Sequence, residues 1–156
     1  MKKFLALFTL IFSLGLVGCS SKAEVKDVPV NDIKDAINNE ATLPVQPVAD
    51  VDAKDFYIFE SVKDNIQEGF VLQSMMNVNL QDVFVVKTDN VEKIKSVIDE
   101  YKNGDSFKMF ADGYGGENNI TAAANSILKN KGNYVYFIAT NNVTDVESKI
   151  LKVIEK

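Results

Sequence analysis

Tyr134-Val135-Tyr136-Phe137-Ile138-Ala139 decides how this chain folds. Its residues are aromatic, β-branched or small and apolar, and neither charge nor proline interrupts them. Such a run fits a β-strand. Ile127-Leu128 leads into Asn130-Lys131-Gly132-Asn133, a hairpin turn signal, just before it. A strand pair is therefore expected at this end of the chain.

Further upstream, Asp82-Val83-Phe84-Val85-Val86-Lys87 is a second apolar strand, and Gly69-Phe70-Val71-Leu72-Gln73-Ser74 a third. Residues 77–81 are polar enough to turn the chain, so these two strands should pair antiparallel. Between the strand pairs, Val91, Ile94, Val97, Ile98 and Tyr101 make one apolar stripe at helical spacing. Asp89 and Glu92 stand at the spacing of a capping box at its start. Asn103-Gly104 can end this helix, or it can run on through Phe107 and Phe110. Residues 112–119 read as a glycine-rich loop and 120–125 as a helical turn. Thr144 and Glu147 have the capping-box spacing, and Val146, Ile150, Val153 and Ile154 give the apolar face of a last helix.

Before the strands, Asn31 can cap a short helix over 32–39, with Ile33 and Ile37 on one side. Pro44 and Pro47 favour an extended connection. Asp52 can cap a helical turn that ends near Phe59. The expected fold is α+β: an antiparallel sheet of about four strands with helices packed on it. Val85 and Phe137 are expected fully buried in its central strands.

Leu16-Val17-Gly18-Cys19 sets the chain's location. Lys2 and Lys3 precede an apolar run from Phe4 to Leu16. A secretory signal needs roughly 7–15 apolar residues and a membrane-spanning helix about 20, so the run fits the former. Gly18 leaves the backbone open to a peptidase, and a cysteine sulfur can be alkylated to a thioether. The stretch reads as a bacterial lipobox, with cleavage before Cys19, a diacylglyceryl group on the Cys19 sulfur, and palmitate among the acyl chains. The expected organisation is a cleaved signal peptide over 1–18, a lipidated and flexible tether over 19–30, and one domain over 31–156.

The chain has 156 residues and a formal charge of -5. Loss of the signal removes Lys2 and Lys3 and no acid, which leaves -7. All 17 basic residues are lysine. Phosphate and base-edge recognition leans on arginine, so an acidic, arginine-free chain does not suit nucleic acid. There is no histidine, which removes the usual general base and the commonest metal ligand. Cys19 is the single cysteine, and once acylated it leaves no thiol for catalysis or metal.

Phe70 to Val78, running into the strand at 82–87, then the charged helix, Lys131-Gly132-Asn133-Tyr134-Val135 and the last helix, together resemble a family of small bacterial lipoproteins. That family carries a domain of unknown function. The resemblance covers roughly residues 50–150, chiefly through the Met75-Met76-Asn77 turn and the Gly132-Asn133-Tyr134 hairpin. It implies a cell-envelope lipoprotein and supplies no activity and no catalytic residues.

Asp112-Gly113-Tyr114-Gly115-Gly116-Glu117 offers two carboxylates and three glycines, yet lacks both the alternating acids of a calcium loop and the Gly-Lys-Ser/Thr ending of a phosphate loop. It reads as a solvated loop. The serines have no histidine to activate them, and Asp99 with Glu100 reads as a charged helix face. No catalytic residue, metal site or cofactor is expected. Met75 and Met76 at a strand end, and Tyr134 and Tyr136 on one side of their strand, are the candidate binding surface. Core filling is the plainer role for the two methionines, and a place in the core or at the domain's rim for the two tyrosines. The reading is a lipid-anchored, exported envelope lipoprotein. Its domain acts as a non-enzymatic binding module for an envelope protein, peptide or polymer. An envelope hydrolase without histidine chemistry and an accessory structural subunit are the alternatives.

Overall fold

A computed structural model of the chain describes residues 25–155. The lipobox residues Leu16, Val17, Gly18 and Cys19 lie outside them. Five strands form one fully antiparallel sheet in the order β1-β2-β3-β5-β4. They are β1 (Val48–Asp52), β2 (Ile66–Ser74), β3 (Asp82–Thr88), β4 (Ile127–Lys131) and β5 (Tyr134–Ala139). The helices are α1 (Val30–Ile37), α2 (Val91–Asn103), α3 (Asp105–Ala111), α4 (Glu117–Ala124) and α5 (Val143–Ile154). Two 3-10 segments, Ala53–Asp55 and Tyr57–Asn65, link β1 to β2.

Alternation along β3 and β5 sends side chains to opposite faces, and both faces are covered. Phe84, Val86, Val135, Phe137 and Ala139 pack beneath the 3-10 segments, α2, α3 and α4. Val83, Val85, Tyr134, Tyr136 and Ile138 pack beneath α1 and α5. Two covered faces explain why these strands are apolar throughout rather than alternating. Phe84 and Phe137 stand 5.2 Å apart, centroid to centroid, at the heart of the first layer. Val85 and Phe137 are fully buried, as expected.

The strand β1 brings the expected sheet of about four strands to five. It lies on an edge, and its burial is only partial along its length, so neither alternation nor an apolar run marks it in the sequence. Gly69 on β2 lets the 3-10 turn Ala53–Asp55, which follows β1, press on the sheet. A Cβ there would come within 2.7 Å of the Ala53 Cβ.

Four local expectations change. The first helix runs from Val30 to Ile37 with Pro29 as its N-cap, so Asn31 lies inside it and does not cap it. The last helix begins at Val143 with Asn142 as its N-cap, so Thr144 and Glu147 form no capping box. Glu147 instead accepts from Lys129 Nζ and from the Tyr136 hydroxyl. The helix at Val91 is capped by Asn90, whose side chain accepts from the Lys93 amide, and not by Asp89. The folded domain also starts earlier than residue 31. Val25 pairs with Glu155, the Lys26 amide donates to Ile154, and the Tyr134 hydroxyl bonds both the amide and the carbonyl of Val28. Lys87 adds an ion pair to Asp27 at 2.7 Å. Residues 25–30, expected as part of the tether, are therefore part of the folded domain.

Candidate functional site

The turn between β2 and β3 carries Met75 and Met76, exposed to 64% and 46%. Val78 in the same turn is exposed, as are Met109 and Tyr114 at the α3 end and Ile120 on α4. Large apolar side chains left in water at one place mark a surface that gains from being covered. These six belong to two segments that the fold clamps together.

Asn119 is the clamp. Its side chain is buried, donates to the carbonyls of Val78 (2.7 Å) and Tyr114 (2.8 Å), and accepts from the Leu80 amide (2.9 Å). Gly115 completes it. Its φ is +78°, and a Cβ would fall 2.0 Å from the Val78 carbonyl oxygen. Only glycine allows both the left-handed backbone and that approach. The glycine-rich loop is thus a bracket for the methionine turn. Among the described residues, no three acidic or thiol side chains converge as a metal site.

Beneath the turn, Asp82 opens β3 with its carboxylate enclosed. The Tyr101 hydroxyl donates to one oxygen at 2.5 Å and the Gln73 amide to the other at 2.9 Å. Burial pushes the Asp82 carboxyl up to about 6, against the pull of these two hydrogen bonds. Burial and the neighbouring Asp82 charge together raise the Tyr101 hydroxyl and, more weakly, that of Tyr57. These groups adjoin a cleft of about 330 Å3 lined by Tyr57, Ile58, Val97 and Tyr101, with Glu100 and Asp105 along it.

Tyr134 and Tyr136 do not join the exposed surface. Both are buried beneath α1 and α5, where their hydroxyls are held by Val28 and Glu147. Burial and Glu147 push the Tyr136 hydroxyl above its ordinary range. Their strand alternation was readable, but the second helical layer over that face has no local signal in the strand. Met75 and Met76 are brought to the surface with Tyr114 and Ile120, which the sequence did not single out. Nor did it single out the cleft, since Tyr57 and Tyr101 meet only through the fold. Glu100, read as a solvated helix face, is exposed and borders it.

The family model for a domain of unknown function (DUF4358) matches residues 41–140. No curated protein and no solved structure matches the chain. The matched stretch contains the methionine turn, its glycine bracket, Asp82 and the cleft.

Proposed function

From the premise that the chain belongs to the DUF4358 family, we propose that it is an exported lipoprotein, anchored through Cys19, whose domain binds an envelope protein through the methionine turn. The observation that carries this reading is the distribution of exposed apolar side chains. Among the described residues, six of the seven large ones come from the β2–β3 turn and the α3–α4 corner. The chain enters the domain at the other end of the sheet. Val25 packs against Gly132 of the β4–β5 turn and pairs with Glu155, beside the end of β3 that carries Lys87.

The six residue steps from Cys19 to Val25 reach at most about 20 Å. An anchored domain therefore keeps its β4–β5 turn near the bilayer. The length of β3, about 24 Å at some 3.4 Å per residue, separates the methionine turn from that end. Lipid is then the wrong occupant for Met75 and Met76, and a protein partner in the envelope the right one. Methionine suits such a surface because its unbranched thioether adapts to varied contacts. Among the described residues, no helix is long and apolar enough to cross a membrane, so attachment in this reading rests on the lipid.

Two measurements test it. Radiolabelled palmitate fed to expressing cells enters the native chain and not Cys19→Ser; equal labelling of both overturns the anchor. A photo-crosslinking residue in place of Met76 yields discrete adducts with an envelope protein, and one in place of the exposed Asn130 does not. Identical adducts from the two positions overturn the binding surface.

A further inference from the structure

The cleft beside Asp82 has a composition that the methionine turn lacks. Tyr57 and Ile58 come from the longer 3-10 segment, and Val97 and Tyr101 from α2. The Tyr57 ring leans on Phe56 at 4.8 Å yet stays largely open to solvent. Tyr101 is fixed from behind by its hydroxyl bond to Asp82 and by its packing on Phe84 at 5.3 Å. Glu100 and Asp105 flank the opening. Neither has an ion-pair partner among the described residues, whereas Glu92, two turns back on α2, has Lys95. Among the described residues, no lysine lines the cleft, although the chain carries 17 basic residues. Lys102, next to Tyr101, is held over the Phe137 ring instead, 5.8 Å from its centroid.

An aromatic wall attracts a cation through its negative face, and carboxylates beside it add direct Coulomb attraction. Hydrocarbon from Ile58 and Val97 suits the alkyl part of a ligand and not the hydration shell of a metal ion. We propose that this cleft binds an organic cation, an alkylammonium group seated on Tyr57 and Ile58 with its charge toward Glu100 and Asp105. The group comes from a small amine or from a lysine side chain of a partner. The Asp82 carboxylate behind Tyr101 adds negative charge on the far side of that ring. The site involves neither Cys19 nor Met76, so it stands or falls separately from the anchor and the methionine turn.

The test uses the full-length chain in a nonionic detergent, with tyrosine resonances followed by NMR. The probes are choline, Nα-acetyl-lysine amide, and 3,3-dimethylbutan-1-ol, the uncharged isostere of choline. The expected result is a saturable shift at Tyr57 and Tyr101 with a cation, at least about tenfold tighter than the alcohol and weaker in high salt. The exposed double change Glu100→Gln with Asp105→Asn weakens the cation by at least about tenfold and leaves the rest of the spectrum unchanged. Tighter choline assigns the site to small amines, and tighter lysine amide to a partner's side chain; either result supports it. Equal binding of the alcohol, unaltered binding by the double variant, or no saturable shift with either cation overturns it.

Discussion

Asp82 is the residue on which one end of the sheet depends. It opens the central strand β3, is 5% exposed, and has only Tyr101 and Gln73 to replace its hydration. Its folded carboxyl titrates near 6 against an ordinary 3.8. Between these values the folded chain holds a proton that the unfolded chain has released. Its contribution is therefore present below about pH 4 and is lost as pH rises through about 6. The loss is on the order of 2–3 kcal/mol. In Asp82→Asn the side chain stays neutral and can still accept from Tyr101. Chemical denaturation of native and variant chains from pH 4 to 7 should show the native chain weakening relative to the variant as pH rises. Parallel curves would mean that Asp82 titrates as an ordinary surface acid. None of this was legible in the sequence, where Asp82 reads as the polar start of a strand. A buried acid differs from an exposed one only by what the fold lays over it. Met75 and Met76 show the converse. Their types suggested both core and surface, and the glycine bracket at residue 115, which decides between them, lies some forty positions away.

At the scale of elements, β5 is the best-defined piece. Its bounds, Tyr134–Ala139, coincide with the run of apolar residues that announced it. A central strand covered on both faces has to be apolar at every position, and such a run is visible without its partners. The edge strand β1 has no such demand and went unseen. Phe137 sits in β5 with Phe84, Tyr101 and Phe107 all within 6.1 Å, centroid to centroid. Phe137→Ala removes a ring from the meeting point of β3, β5, α2 and α3. The expected cost is about 3–5 kcal/mol, read from urea unfolding. A loss below about 1 kcal/mol would mean that the layer does not pack on this ring. Helix caps are the least legible feature at this scale. Thr144 and Glu147 have the right spacing, but Glu147 is taken by Lys129 and Tyr136 from the neighbouring strands. Local spacing cannot register a competing tertiary partner.

The whole molecule has two distinguishable ends. At one, residues 25–28 are tied to β5, α5 and Lys87, and the chain arrives from the direction of Cys19. At the other, the methionine turn is braced by Asn119 and Gly115 and exposes its apolar side chains. The α+β class and the antiparallel sheet followed from the run of strand and helix patterns, but this polarity did not. It depends on how β3 spans the domain and on where Val25 docks, and both are long-range facts. The most direct test of the anchored, outward-facing reading places a fluorophore on an introduced cysteine, Met76→Cys or Asn130→Cys, in the full-length chain reconstituted into vesicles. Cys19, once acylated, takes no label. With a quencher on the lipid headgroups, strong quenching at position 130 and weak quenching at position 76 is the predicted result. Stronger quenching at position 76 than at position 130 would contradict the account.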